Sequence, residues 1–422
     1  MTRNLRQQAD NGDASAQAAL GAAYLTGDGV EPDAEEAVRW YRQAAEQGHA
    51  SAQATLGDLY LNAEGVTQDD GEAARWYRLA ADQGNAEGQY GLAYLYGVGQ
   101  GVPRDDAEAA RLMRLSGEQG DVQAQYAVAL LYENGQDVPQ DLAEAARWYL
   151  RAAEQGHARS QASLAAMYLE GRGVEEDDSK AARWLRMAAT QGFVVAQVDL
   201  AYLYGVGRGV PQDDTQSLRW LQMAADPIHA RSDANIAAMT RAQYSLALVY
   251  VNGRGVTPND AEAVRWLRLA AARGLAEAQG DLGFMYLTGR GVPPDDLEAA
   301  RWIRPAADQG YAGAQRFLGL MYRDGRGVPR DLGETTRWLG LAADQGDGLA
   351  QYELGLLYRE GIGTPTDAST AYLWLSLAID RLEGDARTRA AQARDQVVSS
   401  LSATERAEGD RQTREWKPVF ER

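Results

Sequence analysis

Residues 50–84 read ASAQATLGDLYLNAEGVTQDDGEAARWYRLAADQG, and variants of this stretch follow one another along the chain. Its clearest marker is a Trp that recurs every 36 residues, apart from one spacing of 46 between Trp220 and Trp266. Leu112 fills the one vacant place in this series. A fixed period of this length is typical of a stacked array, in which each unit buries its apolar face against its neighbours. The 422 residues therefore predict one array of repeats rather than several globular domains.

Each half of the unit has the spacing of a helix. In the first half, Ala52, Leu56 and Tyr60 lie on one stripe with a period of 3.6 residues. The second half opens with Asp69, which can cap the backbone N–H of Glu72 while Glu72 reaches back, as in a capping box. A Gly that suits a left-handed backbone ends the second half in many units, at Gly48, Gly84, Gly120, Gly156 and Gly192. The unit is therefore predicted to be helix, Gly turn, helix, Gly turn.

The motifs L-G-x-x-Y, G-x-G-V and A-x-x-W-Y-x-x-A-A-x-Q-G resemble the Sel-one-like (Sel1-like) repeat family, relatives of the tetratricopeptide repeats, from about residue 5 to residue 380. The resemblance implies an all-α, right-handed superhelical solenoid of helix-turn-helix repeats that mostly serves as a scaffold for other proteins. Three residues depart from the motif. Ala63 and Asp137 each replace a turn Gly, and Pro305 lies inside a second helix, where it should kink the helix by removing a hydrogen bond.

The repeat register divides the chain into three parts. Residues 1–12 are expected to be a partial repeat with its second helix only, and residues 13–381 the solenoid of about ten repeats. Residues 382–422 are expected to form C-terminal capping helices, the last of which begins with a Ser402–Glu405 capping box.

The ten additional residues lie within an insertion at 226–239. This segment is either a tolerated loop or an extension of the next first helix. We expect a first helix about two turns too long, because Ser232 is a good N-cap and Ile236 and Met239 continue the helical spacing.

Composition excludes several classes of function. The formal charge of −18 disfavours nucleic acid and anionic lipid as partners. The absence of Cys excludes disulfides and thiolate chemistry, and three His leave little material for a metal centre. No stretch is apolar enough to insert into a membrane. We expect no catalytic residue, cofactor or metal, and a cytoplasmic location from the lack of a signal segment; removal of a leader would imply the periplasm instead.

Repeated polar and aromatic residues have structural explanations that compete with functional ones. The G-x-G turns follow a helix rather than a strand, which favours turns over nucleotide loops. Paired carboxylates such as Asp105 and Asp106 start each second helix, which favours capping over acid–base or metal chemistry. Trp is expected in the core between repeats rather than on a sugar-binding platform. The Arg before each Trp is expected to pair with an upstream Glu on an outer surface, with an acidic partner as the alternative.

The first helices carry a further row of large side chains. Positions two before, two after and five after the motif Leu lie opposite the packing stripe, and we call them the far face. Residues on a face opposite the packing stripe are expected to be polar, yet many of these are aromatic, aliphatic or Arg: Tyr90, Tyr94, Tyr126, Leu130, Tyr202, Tyr244, Leu248, Phe284, Arg316, Leu320, Arg323, Tyr352, Leu356 and Arg359. In related helical repeats the first helices line the concave surface, so the resemblance makes this row a groove floor. Aromatics and Arg are enriched at binding hot spots. The alternative is that these side chains pack on one another and fill the groove.

These observations predict a non-catalytic scaffold that binds a protein or peptide along the concave face. One alternative is β-lactam or cell-wall-fragment binding and hydrolysis, with which some cysteine-rich members of the family are associated. The chain lacks their Cys pairs and any Ser-x-x-Lys motif. Another alternative is an architectural role through self-association of residues 226–239.

Overall fold

The structure is a computed structural model that describes residues 2–136, 138–229 and 232–419. Within these ranges it consists of 23 α-helices and one short 3₁₀ helix, without a strand, which confirms the all-α class. Two compact units divide the chain: residues 1–196 with 207–211, and residues 197–206 with 212–422. We call them unit 1 and unit 2. Asp137, expected to replace a turn Gly, lies outside the described residues.

Unit 1 contains eleven complete helices: α1 Thr2–Asp10, α2 Ala14–Thr26, α3 Ala34–Glu46, α4 Ala50–Asn62, α5 Asp70–Asp82, α6 Ala86–Val98, α7 Asp106–Glu118, α8 Val122–Asn134, α9 Leu142–Glu154, α10 Ala158–Glu170 and α11 Asp178–Thr190. Helix α12, Val194–Val206, is shared between the units. Unit 2 continues with α13 Asp214–Ala224, α14 Asp233–Asn252, α15 Asp260–Ala272, α16 Ala276–Thr288, α17 Asp296–Asp308, α18 Ala312–Asp324, α19 Leu332–Asp344, α20 Gly348–Glu360, α21 Ala368–Arg381, α22 Gly384–Val398 and α23 Ala403–Glu415. Within each unit successive helix pairs pack side by side, as a solenoid requires.

Most second helices begin with an Asp cap, and α15 begins with Asn259, but the predicted capping box does not form at Asp69. Asp69 accepts the N–H of Glu72, as expected. The N–H of Asp69, however, donates to the Tyr60 carbonyl, so it is not free to bind the Glu72 side chain. Glu72 pairs with Arg75 instead. The reciprocal capping box predicted for Ser402 and Glu405 is confirmed at the start of α23.

The two glycines of the G-x-G turn have different roles. The first is the left-handed C-cap of the first helix, and Ala63, which replaces it in one repeat, adopts the same conformation with φ 56°. The second lies against the preceding repeat. A Cβ added to Gly65 would lie 2.2 Å from the Ala34 carbonyl oxygen, and one added to Gly173 would lie 2.2 Å from that of Leu142. The second Gly therefore allows adjacent repeats to approach closely.

The Trp positions form the core between repeats, as predicted. Trp76 is buried with Ala37 and Tyr41 of the preceding repeat and with Leu56 of its own repeat. Leu112, in the vacant Trp place, is buried in the next such cluster. The structural explanation of the Trp series is therefore confirmed.

A ladder of glutamines links the two helices of a repeat to each other and to the preceding repeat. Gln53 is buried; its Nε2 donates to the Ala45 carbonyl at 3.0 Å, and its Oε1 accepts from Gln83 Nε2 at 2.7 Å. The same link over thirty residues recurs between Gln17 and Gln47, Gln89 and Gln119, Gln125 and Gln155, Gln161 and Gln191, Gln279 and Gln309, and Gln315 and Gln345. In these seven repeats the motif Gln therefore joins the first helix to the end of the second helix of the same repeat.

The departures from the repeat alter individual helices. Helix α14 has 20 residues where its counterparts have 13, which confirms the predicted lengthening by about two turns. Helix α17 continues through Pro305 to Asp308. At the C-terminus, Val397 of α22 and Leu401 are buried with Tyr372 and Leu375 of the last repeat.

Candidate functional site

In unit 1, the far face is partly closed by contacts within the chain. Tyr126 is half-buried, with its ring centroid 5.9 Å from that of Tyr149 and 4.9 Å from that of His157. Leu130 packs against the same cluster. Tyr90 is half-buried as well, and burial raises its pKa. Tyr94 is 44% exposed, so it offers an uncovered ring on α6.

Toward the C-terminal end of unit 2, the far-face arginines have internal partners. Arg316 Nε lies 3.0 Å from Asp347 Oδ2, with its guanidinium 4.4 Å from the centre of the Phe317 ring. The other two are paired one helix pair further on: Arg323 Nη1 lies 2.8 Å from Glu353 Oε2, and Arg359 Nη1 donates to Gln396 Oε1 at 2.8 Å. These cations are therefore partly neutralised before any partner binds.

The large apolar residues in the same region also pack on the chain itself. Phe284 stacks on Phe317 with ring centroids 5.1 Å apart. Tyr352 and Leu356 pack against the cluster that contains Val397 of α22. These contacts fill part of this end of unit 2, where smaller cavities of about 200 Å³ beside Phe284 and about 410 Å³ beside Tyr352 remain.

The far face is open near the long helix α14. A cavity of about 660 Å³ lies between α12, α13, α14 and the start of α16. Three predicted far-face residues line it: Tyr202, Tyr244 and Leu248. Tyr202 is 62% exposed and Leu248 is 37% exposed. The sequence prediction therefore locates one wall of this cavity.

The remaining wall combines apolar and charged groups. The apolar side chains are Val198, Val206, Leu221, Val249 and Leu275. The charged ones are Asp199 on α12, Arg241 on α14, Glu277 on α16 and Arg254 in the turn after α14. Arg254 is already engaged, because its Nη2 donates to the Gly205 carbonyl at 2.7 Å and lies 3.0 Å from Asp214 Oδ1. The cavity thus has mainly apolar walls and a few charged groups, as pockets for small ligands and side chains commonly do.

Asp199 is an acidic group of this wall whose pKa is shifted. Its side chain is exposed to the cavity, and partial desolvation by the surrounding protein raises its pKa to about 6, with Arg241 opposing the shift. Nearby, the Tyr244 hydroxyl donates to Asp281 Oδ2 at 2.9 Å, and burial raises the pKa of Asp281. The protein therefore keeps carboxylates in a setting that disfavours their charge.

The far-face analysis missed Asp199, Arg241 and Glu277. Asp199 stands one residue before the motif Leu, a position that the far-face definition excludes, although other repeats also carry an acid there, at Asp281 and Glu353. The recurrence of an acid one residue before the motif Leu was the feature of the sequence from which Asp199 could have been identified. Arg241 lies in the lengthened helix, outside the regular register, and only the fold brings it to the cavity.

The competing structural explanations for the repeated polar residues are supported by their contacts. Arg39, Arg75, Arg111 and Arg147 each pair with the Glu three residues before them. Several repeats carry a second Arg three residues after the first, and this Arg reaches the next first helix. Arg42 Nη2, for example, donates to the Tyr60 hydroxyl at 2.9 Å. His49 is an N-cap whose Nδ1 accepts the N–H of Ala52. Asp105 caps α7 by accepting the N–H of Glu108.

Neither a metal site nor a membrane-spanning helix is present in the described ranges. No group of three or more His, Cys, Asp or Glu side chains there is arranged to hold a metal ion. No helix there combines the length and apolar character needed to cross a membrane.

Comparison with known proteins identifies the repeat. A family model described as the Sel1 repeat matches ten consecutive segments, at residues 14–49, 50–85, 86–121, 122–157, 158–193, 194–226, 240–275, 276–311, 312–347 and 348–381. The gap between the sixth and seventh contains most of the insertion. No curated protein is similar enough to match the chain.

Two solved structures share the repeat at substantial identity. One is a protective antigen of uropathogenic Escherichia coli with an SLR fold; it is 33% identical, with 98% of this chain and 94% of that one covered and a TM-score of 0.59. The other is a Sel1 repeat protein from Oxalobacter formigenes; it is 35% identical, with 76% and 89% covered and a TM-score of 0.54. Sel1 repeat proteins generally mediate protein–protein interaction and are generally non-catalytic. Because the matched segments run from residue 14 to residue 381 with one short gap, this chain belongs to the Sel1 repeat family.

Proposed function

We propose that this protein is a non-catalytic scaffold that binds a peptide segment of a partner protein on the far face of unit 2. The observation that carries the proposal is the cavity of about 660 Å³ beside the exposed ring of Tyr202. Its volume falls within the range of about 300–1,000 Å³ typical of ligand pockets. An exposed aromatic ring at the edge of such a pocket can bury a large area on binding with little loss of side-chain entropy.

The internal pairing of Arg316, Arg323 and Arg359 narrows the proposed surface. Binding there would require a partner to compete with ion pairs that already exist, including that of Arg359 with Glu360. Tyr202 and Leu248 need no such exchange, since both are exposed. We therefore assign the main contact to these residues, and Tyr94 of unit 1 is a separate uncovered position.

The test selects ligands from a phage-displayed library of random dodecapeptides and measures the affinity of synthetic copies by fluorescence anisotropy. Tyr202→Ser combined with Leu248→Ser should weaken binding about 30-fold or more, because a hot-spot residue contributes about 2 kcal/mol. Leu297→Ser is the matched control: Leu297 is 69% exposed in the same unit but lies on a second helix. Equal affinities for the double variant and the control, with both folded, would reject the far face as the binding surface.

A second candidate function is self-association through the insertion. Ile228 and Ile236 are both exposed there. If they form a contact between copies, Ile228→Ser with Ile236→Ser should lower the concentration-dependent mass measured by light scattering. A monomeric mass that is independent of concentration in the unmodified protein would eliminate this candidate.

A further inference from the structure

The cavity beside α14 depends on the irregular part of the repeat. Helix α13 is two residues shorter than its counterparts, and α14 is seven residues longer. Arg241, Tyr244, Ser245 and Leu248, all on α14, line the cavity. Its chemistry is therefore particular to this repeat rather than common to all ten.

The charges around the cavity are unequal. Asp199 and Glu277 line it, and Asp281 lies beside it through its hydrogen bond with Tyr244. Arg254 is largely occupied by Asp214 and the Gly205 carbonyl. The Arg241 guanidinium then remains to balance the carboxylates of Asp199, Glu277 and Asp281, so the local charge is negative.

Asp199 has capacity for another partner. Among the residues that the structure describes, its carboxylate has no hydrogen bond or ion pair, and its electrostatic interaction is with Arg241. Asp199 is exposed in the cavity, so the cation of a partner can reach its carboxylate. A partner that covers the cavity would exclude water from this pair and strengthen the attraction, because the local dielectric would fall.

The apolar walls complement the acids. Val198, Leu221 and Leu248 offer aliphatic surface, and the rings of Tyr202 and Tyr244 stand in the same cavity. The aliphatic stems of Arg and Lys bury well along such surface, and their charged ends interact favourably with aromatic faces. An acidic or purely apolar side chain would leave Asp199 and Glu277 without compensation.

We propose that this cavity is a specificity pocket that receives the Arg or Lys side chain of the bound peptide, with the stem against Leu248 and Tyr202 and the cation facing Asp199 and Glu277. This inference rests on the proposed peptide-binding function and adds the chemistry of the residue that is recognised. The overall charge of −18 favours the approach of a basic segment, while the cavity selects the individual side chain.

The probe is a positional-scanning library of acetylated hexapeptide amides, with one position in each pool fixed as Arg, Lys, citrulline, norleucine or Glu. Citrulline keeps the shape of Arg without its charge, and norleucine keeps an aliphatic stem. We expect the Arg or Lys pool at one position to bind about tenfold more tightly than the uncharged pools. Asp199→Asn with Glu277→Gln should reduce this preference to less than about twofold.

The control is Glu262→Gln with Glu298→Gln, which makes the same change in net charge at two exposed Arg-paired positions of unit 2. It should retain the preference. A basic preference that survives equally in both double variants reflects general attraction to an acidic protein and overturns the pocket. Pools that bind without basic preference, yet lose affinity with Tyr202→Ser, overturn the pocket while the proposed function stands. Pools that bind wild type and the Tyr202→Ser/Leu248→Ser variant alike overturn both.

Discussion

The glutamine ladder predicts a defined stability cost for one buried amide. Gln161 is fully buried; its Nε2 donates to the Ala153 carbonyl at 3.0 Å, and its Oε1 accepts from Gln191 Nε2 at 2.9 Å. Gln161→Leu removes both hydrogen bonds. The Ala153 carbonyl keeps the N–H of Gly156, and Gln191 is exposed to water, so neither partner is left wholly unsatisfied. At about 0.5–1.5 kcal/mol for each net hydrogen bond, the free energy of unfolding should fall by about 1–3 kcal/mol.

Two companion substitutions separate the contributions. Gln191→Leu removes the link from α10 to the end of α11, together with the 3.3 Å bond from Gln191 Nε2 to the Met187 carbonyl, and should cost about 1 kcal/mol. Gln161→Glu keeps the size of the side chain but replaces the donor to Ala153 with a carboxylate oxygen and buries a charge, so it should cost more than Gln161→Leu, about 3 kcal/mol or more.

Urea denaturation followed by far-UV circular dichroism gives the midpoints. Amide hydrogen exchange in α10 and α11 shows whether the loss is local, which matters because repeat arrays need not unfold in one step. The reasoning would be refuted if Gln161→Leu were as stable as wild type, or if Gln161→Glu were milder than Gln161→Leu.

Three other substitutions test separate features of the chain. Ala63→Gly should raise the free energy of unfolding by about 1 kcal/mol in urea denaturation, because Ala63 holds a left-handed conformation with φ 56° that Gly adopts without steric cost; an unchanged midpoint would contradict this. Pro305→Leu should stabilise α17 by about 1–3 kcal/mol, read from the same midpoint, because Leu restores a backbone donor at an exposed helical position; a destabilised variant would show that Pro305 has a packing role. Asp199→Asn should raise the Tm at about pH 7.5. The folded pKa of Asp199, about 6, exceeds its unfolded value of about 4, so the wild type loses stability as the pH rises between these values. The Tm difference should therefore shrink toward zero as the pH falls to about 4, and a difference that does not vary with pH would count against the assignment.

Local sequence determines most of the single repeat. The 3.6-residue spacing around Leu56, the Asp cap at Asp69 and the C-terminal Gly at Gly84 depend only on residues within one or two helical turns, so the helices and their ends could be predicted. The Trp series and the extended α14 followed from the same spacing. Where a competing contact comes from another segment, local reasoning failed: Glu72 does not complete a capping box because the Asp69 N–H already donates to Tyr60.

The binding surface depends on contacts between repeats, which a local pattern does not contain. The sequence assigned both Tyr202 and Arg323 to the far face, yet one is exposed and the other is paired with Glu353 of a later repeat. The bond of Gln161 to the Ala153 carbonyl and the contact of Gly65 with Ala34 also join neighbouring repeats. Periodicity within a helix therefore determined the elements and the side that each turns outward. Only the packing of helices 30 or more residues apart determined which outward residues are covered, and where a cavity remains open.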